Sequence, residues 1–167
     1  LNSDDADVIN FTKVFSFKTR EEIEALEKSH AENPGAREAH RALARELTSL
    51  VHSEDICNRV EAAARALFGQ GELAELDETT LASALAELPR TTVKNGDPIP
   101  TWVDLLAATG VVDSKSAARR IVKEGGAYLN NVKIAGEDFA PQKSDFLCGK
   151  YAVLRKGKRD LAAVELI

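Results

Sequence analysis

The stretch "DSKSAARRIVKEGGAYLNNVKI", residues 113–134, predicts a short helix followed directly by a tight hairpin. Asp113 or Ser114 can cap the start of the helix, since both side chains accept hydrogen bonds from free first-turn amides. Gly125-Gly126 ends the helix, because glycine readily adopts the left-handed conformation that follows many helices. Two short strands come next, joined by Asn130-Asn131, because asparagine tolerates the positive φ of a hairpin turn.

The predicted helix has an apolar face and a basic face. The apolar positions fall on one side and are Ala117, Ala118, Ile121 and Val122. Polar positions at i, i+3, i+4 and i+7 form the other side and are Ser116, Arg119, Arg120 and Lys123. Only Glu124 is close enough in sequence to neutralise these cations, which repel one another by roughly a few tenths of a kcal/mol per pair. The basic face is therefore either a solvated surface or a site for an anion.

Three features favour an anionic partner over a solvated face. Arginine takes the two central positions, and its planar guanidinium suits phosphate. Serine hydroxyls and the amides of residues 114–116 add neutral donors at a helix N-terminus, where anions bind readily. Lys133 in the hairpin extends the row of cations. We predict a phosphate-binding surface whose residues are Ser114, Lys115, Ser116, Arg119, Arg120, Lys123 and Lys133.

The composition of the whole chain is that of a globular protein. Its 167 residues are 44% hydrophobic and 29% charged, and no apolar run is long enough to cross a bilayer. Two distant cysteines and three histidines lack the spacing of a zinc site or a disulfide framework, so we expect no metal and a cytoplasmic location. The chain contains no methionine, and we therefore expect a processed chain or an excised fragment.

The charge divides the chain into two parts. Residues 1–92 carry 10 cations and 18 anions, whereas residues 93–167 carry 12 cations and 9 anions. The change falls near "RTTVKNGDPIPTW", where one glycine and two prolines interrupt any helix. We predict a helical domain over residues 1–92, a linker over residues 93–100 and a second domain over residues 101–167.

Helical signals fill the first part. Thr19 and Glu22 have the spacing of a capping box, and the helix that they begin stops at Pro34. Apolar residues at spacings of three and four predict two further helices and are Ala39, Leu43, Leu47, Leu50, Val51, Ile56, Val60, Ala63, Ala64 and Leu67. A short fourth helix precedes Pro89. The first part is therefore predicted to be a small helical bundle.

The second part mixes helical and strand periods. A helix is predicted from Thr101 to Gly110, and the basic helix follows it. A second hairpin is predicted from residues 151–154 and 161–166, with Lys156-Gly157-Lys158 between them. The predicted fold class is α+β, in which a helical bundle precedes a domain of two helices and a short antiparallel sheet.

The residues of the second part resemble a known RNA-binding domain. "GVVDSKSAARRIVKEGGAYLNNVKI" is similar to the domain first described in ribosomal protein S-four, which has a capped Ser/Arg-rich helix, a "GG" stop and an Asn-containing turn. In the first part, "LNSDDADVINFTKVFSFKTREEIEALE", "ALARELTSLVHSED" and "ALFGQGEL" resemble the anticodon-binding helical domain of bacterial tyrosyl-tRNA synthetases. The order of the two domains also resembles that family.

The resemblance implies a function and a set of partners. It implies that this chain is the C-terminal part that binds the tRNA for tyrosine, while the full-length enzyme attaches tyrosine with ATP and Mg. It implies no cofactor for this part, a dimer through the catalytic domain of the full-length enzyme, and a monomer for the present chain. The "HIGH"-type and "KMSKS"-type elements of the catalytic domain are absent, and Ser114-Lys115-Ser116 only mimics the tail of the second. The chain alone is expected to be inactive as a ligase.

Other residues leave alternatives open. Asp5 and Asp7 are either capping and solvated carboxylates or contacts to an anticodon base, since carboxylates accept hydrogen bonds from base edges. Three phenylalanines are expected in the core, with base stacking as the alternative, and are Phe11, Phe15 and Phe17. Trp102 is expected to lie between the domains, and Tyr128 to face either RNA or the sheet core.

Two other functions remain possible at this point. The chain could be a non-catalytic ribosome- or RNA-associated factor that uses the same domain, or its acidic half could be a protein-interaction bundle. The catalytic motifs upstream of residue 1 in the parent gene would separate the first of these from a synthetase.

Overall fold

The computed structural model describes residues 3–167 as two compact units, the first ending at Arg59 and the second spanning Val60–Ile167. The helices are α1 (Val8–Phe15), α2 (Arg20–Glu32), α3 (Glu38–His52), α4 (Glu54–Leu67), α5 (Glu78–Leu85), α6 (Trp102–Ala108) and α7 (Lys115–Lys123). The strands are β1 (Arg90–Val93), β2 (Ala127–Leu129), β3 (Val132–Lys133), β4 (Tyr151–Lys156) and β5 (Asp160–Leu166). In this part of the chain no helix is long and apolar enough to cross a membrane.

The first unit is built on α1, α2 and α3, with the first residues of α4. Thr19 caps α2 as the sequence predicts, because its side chain accepts from the Glu22 amide while the Glu22 carboxylate accepts from the Thr19 amide. Val8, Ile9 and Ala39 form a small buried cluster between α1 and α3. The predicted helical character of this region is confirmed, and α1 is a helix that the sequence patterns did not predict.

The expectation of an aromatic core in the first unit is wrong. Phe11, Phe15 and Phe17 are 40%, 54% and 79% exposed, because the buried face of α1 is supplied by Val8, Ile9 and Thr12 instead. The apolar ends of α3 and α4 are likewise less buried than their spacing predicts, and the exposed members are Leu50, Val51, Ile56 and Val60.

The second unit contains a five-stranded sheet in the order β1-β5-β4-β2-β3. The two hairpins that the sequence predicts are present, since β2 pairs with β3 and β4 pairs with β5, in each case antiparallel. Strand β1 was not predicted, and it runs parallel to β5 with Arg90 opposite Ala163. The α+β fold class is confirmed, and the sheet is mixed rather than purely antiparallel.

Each face of the sheet carries its own hydrophobic core. Successive side chains on a strand point to opposite faces, so Ala152 and Leu154 bury one face while Tyr151 and Val153 bury the other. Helices α6 and α7 cover the first face. The end of α4 and the whole of α5 cover the second face with leucines, which are Leu67, Leu81 and Leu85.

The boundary between the two compact units falls after Arg59, whereas the sequence predicted a linker at residues 93–100. Leu67, Leu81 and Leu85 pack against the sheet, so the end of α4 and α5 belong to the second unit. The segment that was expected to begin the linker is partly strand β1. Trp102 is fully buried within the core of the second unit, where its Nε1 donates to the Tyr128 carbonyl at 3.1 Å. The expectation that this ring lies between two domains is wrong.

Candidate nucleic-acid interface

Helix α7 has the start, the stop and the buried face that its sequence predicts. The Ser114 hydroxyl accepts a hydrogen bond from the Ala117 amide at 3.2 Å and so caps the helix. Ala118 and Val122 face the core of the second unit, where both are buried. The polar face is consequently directed outward, and Lys115, Ser116, Arg119, Arg120 and Lys123 are all exposed.

The cations of α7 are paired with carboxylates, which corrects the expectation of an uncompensated stripe. Lys115 Nζ lies 2.6 Å from Asp104 Oδ1, at the start of α6. Glu137, in the loop after β3, lies 3.7 Å from Arg119 Nε and 3.2 Å from Lys123 Nζ. These partners are separated from α7 in sequence, and only the tertiary fold brings them to the basic face.

Arg120 has the one partner that the sequence indicated. Its Nε lies 3.9 Å from Glu124 Oε1, four residues along the chain. Its side chain is 75% exposed, the highest value among the four cations of α7. Exposed pairs of this kind contribute only about 0.2 to 1 kcal/mol, so a phosphate can replace the carboxylate at small cost.

Asp104 joins α6 to the start of α7 electrostatically. The hydrogen bond from Lys115 lowers the pKa of this carboxyl below its ordinary value, and the bond from the Thr101 hydroxyl lowers it further against a weaker effect of burial. The carboxylate is therefore charged at neutral pH and holds the Lys115 ammonium beside the first turn of α7.

Lys133 lies against the stop of α7. Gly125 has φ of +72°, and a Cβ built at this position would lie 2.6 Å from Lys133 Nζ. Only glycine combines this backbone conformation with the close approach of the ammonium group. The Lys133 ammonium group therefore lies beside the C-terminal end of α7.

Lys133 also begins a row of side chains across the sheet. Tyr128 on β2 pairs with Lys133 on β3 and with Arg155 on β4, so the three side chains share one face. The Arg155 guanidinium carbon lies 3.9 Å from the centre of the Tyr128 ring, which is the geometry of a cation–π contact. One side of Tyr128 is therefore occupied by Arg155, and neither of the two expected roles describes it fully.

The turn between β2 and β3 is anchored by its asparagines. Both have positive φ, 47° at Asn130 and 68° at Asn131, as the turn prediction requires. The Asn130 amide donates to the Asp145 carbonyl, and its Oδ1 accepts from the Val153 amide at 2.8 Å. Asn131 Nδ2 donates to the Ala66 carbonyl at the end of α4. These side chains fix the hairpin and are engaged within the protein.

A second group of cations, missed in the sequence analysis, lies in the stretch "RKGKR" (residues 155–159), which contains the end of β4 and the turn to β5. Arg155, Lys158 and Arg159 surround this turn, and Lys156 pairs with Asp160 at 2.9 Å. The signal was present, since four cations surround one glycine, but the stretch was interpreted only as a hairpin turn.

The predicted anticodon contacts, Asp5 and Asp7, belong to the first unit, and the seven predicted RNA-binding residues belong to the second. The Asp5 carbonyl contacts His30 Nε2 at 2.8 Å, and its carboxylate lies 3.5 Å from His40 Nε2. Asp7 is at the N-cap position of α1, but its side chain makes no capping hydrogen bond. The Asp5 carboxylate is thus partly engaged by a buried histidine, and that of Asp7 is exposed.

The residues of α7 do not form a nucleotide-binding loop. Ser114 caps the helix and Lys115 pairs with Asp104, so the triplet that mimics "KMSKS" has other partners. Within residues 3–167, no three His, Cys, Asp or Glu side chains are grouped to hold a metal ion.

Comparison with known families identifies the chain. Residues 80–164 match the model described as "Tyrosine--tRNA ligase SYY-like C-terminal domain", and residues 1–69 match "tRNA synthetases class I (W and Y)". The first match covers half of the chain and contains α6, α7 and all five strands up to residue 164. The chain belongs to the SYY-like C-terminal domain family. The family resemblance of the sequence is confirmed.

Individual relatives carry the same description. A "Tyrosine--tRNA ligase" of Streptomyces avermitilis is 61% identical over 99% of this chain, and one of Mycobacterium tuberculosis is 50% identical over 100% of this chain. The chain spans only 39% of each of these relatives. A solved structure titled "Solution structure of tyrosyl-tRNA synthetase C-terminal domain" aligns with 58% of this chain and 96% of that one, at 23% identity and a TM-score of 0.46.

Proposed function

We propose that this chain is the tRNA-binding part of a tyrosine tRNA ligase and that α7 is its main contact surface. The observation that carries the proposal is the exposed basic face of α7, continued by Lys133, inside the residues that match the ligase C-terminal family. The proposed contacts to RNA are Ser114, Lys115, Ser116, Arg119, Arg120, Lys123 and Lys133.

Binding at α7 would proceed by exchange of anions. Asp104, Glu124 and Glu137 hold the lysines and arginines in the free protein, and phosphate groups would take over these cations when tRNA binds. The guanidinium groups of Arg119 and Arg120 can each donate two parallel hydrogen bonds to one phosphate. Recognition of this kind reads the shape and the backbone of a folded RNA rather than its sequence.

The first unit would approach the anticodon. We propose that the carboxylates of Asp5 and Asp7 accept hydrogen bonds from base edges, since both side chains are exposed at the start of α1. Substituting Asp7 by asparagine would test this, with loss of discrimination between tRNA for tyrosine and another tRNA as the expected result.

The ligase reaction would belong to the full-length protein. ATP and Mg would bind outside these 167 residues, tyrosine would be attached there, and the chain alone would have no ligase activity. We also propose a cytoplasmic location, a dimer for the full-length enzyme and a monomer for this chain. A non-catalytic RNA-associated factor is not favoured, because the named relatives both have the ligase description.

The proposal is tested by the double substitution R119A/R120A. Binding of a tyrosine tRNA transcript to the 167-residue chain is measured by fluorescence anisotropy at several salt concentrations. Affinity should fall roughly 2- to 30-fold, because each exposed contact contributes about 0.2 to 1 kcal/mol. The slope of log K against log salt should become shallower by about 1.4 to 1.8, because each phosphate contact contributes about 0.7 to 0.9.

A matched control is K94A/K143A. Lys94 and Lys143 are exposed and lie outside α7. They are near each other, because Lys143 donates to Asn95, the residue after Lys94. This control should retain the affinity and the slope of the original chain. If R119A/R120A also retains both, α7 is not the contact surface.

A further inference from the structure

A second basic site lies at the turn between β4 and β5. An open cavity of about 500 Å³ is lined by Phe68, Gln70, Arg155, Lys158 and Arg159, all within the second unit. None of these residues lies on α7, and Arg155 alone shares a sheet face with Lys133, through Tyr128 between them. The volume lies within the range of about 300 to 1,000 Å³ that is typical of sites for small ligands.

The charge of this cavity is uncompensated. Lys158 and Arg159 are exposed, and neither pairs with a carboxylate anywhere in residues 3–167. Asp160, the acidic residue of the turn, is held instead by Lys156 at 2.9 Å. The cavity therefore presents positive charge without an internal anion to displace, unlike the face of α7.

Arg155 is fixed in place at one wall of the cavity. Its guanidinium stacks on the Tyr128 ring at 3.9 Å, and its Nη1 donates to the Gly157 carbonyl at 3.0 Å. Its Nε is buried and has no hydrogen-bond partner in the described residues. A guanidinium that is already held loses little conformational entropy when an anion binds.

Phe68 gives the cavity an aromatic surface. It follows the last residue of α4, and its side chain is 50% exposed although the preceding Leu67 is buried. Gly69, with φ of +78°, then turns the chain away from the helix. An exposed aromatic ring beside cations is the arrangement on which unpaired bases stack, with the cations contacting the adjoining phosphates.

We propose that this cavity binds one unpaired nucleotide of the tRNA, whose base stacks on Phe68 while its phosphates contact Lys158 and Arg159. Gln70 supplies an amide that both donates to and accepts from a base edge. Sites for unpaired nucleotides combine an aromatic face for the base with cations for the phosphates, and this cavity has both. The inference rests on the proposed tRNA-binding function and adds to it a single-nucleotide site separate from α7.

The stacking part is tested with F68L and F68W in the 167-residue chain and the tyrosine tRNA transcript. F68L keeps an apolar side chain but cannot stack, and its affinity should fall about fivefold or more, whereas F68W should bind at least as tightly as the original chain. The indole of F68W should also lose fluorescence when tRNA binds. Trp102 is fully buried and hydrogen-bonded to Tyr128, so the original chain should show no such loss.

The phosphate part is tested with K158A/R159A. Its salt slope should become shallower by about 1.4 to 1.8, and K94A/K143A should leave the slope unchanged. Strand pairing places Lys94, which follows Val93, at the end of the sheet opposite the β4–β5 turn, so this control removes equal charge at a distance from the cavity.

The outcomes separate this inference from the proposed function. If the original chain binds tRNA but F68L binds equally well and F68W shows no fluorescence change, the nucleotide site is disproved and the function stands. If K158A/R159A weakens binding and F68L does not, the turn contacts phosphates alone and base stacking is disproved. If the original chain does not bind tRNA, both proposals fail.

Discussion

Two basic regions of the second unit differ in how their charge is held. On α7, four cations have three carboxylates as partners, two of which come from other parts of the fold. Around the β4–β5 turn, four cations have the single carboxylate of Asp160. The two regions have the same number of cations, but their local net charges differ.

This difference affects what each region can contribute to binding. A phosphate that binds α7 displaces a carboxylate, so the gain in free energy is the difference between two similar contacts. A phosphate that binds the turn replaces only water and counterions, so its contribution is not reduced by a lost ion pair. Under the proposed function, the unpaired cations of the turn would therefore attract an RNA phosphate more strongly than the paired cations of α7.

The largest expected effect is a loss of stability on truncating a core side chain that lies close to both regions. Leu154 is fully buried in β4, beside Arg155, and packs in the core under α6 and α7. L154A should lower the free energy of unfolding by about 2 to 5 kcal/mol, because it leaves a cavity. Urea denaturation measures this. V132A, at a position that is 70% exposed, should stay within about 0.5 kcal/mol, and equal values for the two variants would contradict this account of the core.

A smaller effect is expected at the stop of α7, and it should affect that region alone. G125A forces alanine into φ of +72° and pushes Lys133 away, so stability should fall by about 1 to 2 kcal/mol and tRNA binding should weaken. Thermal or urea unfolding gives the first value and anisotropy gives the second. At Gly136 a Cβ would meet nothing within 4 Å, and G136A should be almost neutral. A neutral G125A would show that the left-handed stop is not required.

Removing a carboxylate that pairs with α7 should leave cations of this helix unpaired, like those of the β4–β5 turn. E137Q removes the anion that Arg119 and Lys123 share, so we expect tRNA affinity to rise about two- to fivefold, which corresponds to at most about 1 kcal/mol. The control in the same anisotropy assay is E165Q. It removes a carboxylate of β5 that pairs with Lys150 and with no cation of α7. Equal affinities for E137Q and the original chain would mean that Glu137 does not compete with phosphate.

The smallest effect concerns the pH dependence of the ion pair at Asp104. The pKa of Asp104 is lowered from its ordinary value of 3.8, so its stabilisation is complete above that pH and is lost as the pH falls through the lower folded pKa. D104N should therefore be less stable than the original chain at pH 6, and the difference should shrink below about pH 4. Urea unfolding at a series of pH values measures this. A difference that persists unchanged at pH 2 would exclude the charge of Asp104 as its cause.

Features that depend on neighbouring residues were predicted well from the sequence. The capping box at Thr19, the cap at Ser114 and the stop at Gly125 each involve groups within four residues, and the structure contains all three. The hairpin turn at Asn130-Asn131 is of the same kind. Local hydrogen bonds and backbone preferences decide such features, so a short window of sequence contains the required information.

Features that depend on distant residues were missed. Strand β1 is short and half-exposed, and it becomes a strand because β5 pairs with it from a remote part of the sequence. Asp104 and Glu137 reach the basic face of α7 only through the tertiary fold. Phe68 lies far in sequence from the turn whose cations it accompanies. Periodicity could not reveal these neighbours, because it describes one element at a time.

The position of β5 has a consequence for biosynthesis. This strand lies between β1 and β4 in the sheet but follows both in the sequence. Until residues 160–166 are made, β1 lacks its partner strand, and each core cluster lacks the residues that β5 contributes to it, among them Leu161 on one face and Val164 on the other. Pairings between distant segments form late and slowly. A nascent chain that stalls before residue 160 would therefore keep both core clusters incomplete, and incompletely folded chains of this kind are prone to aggregation.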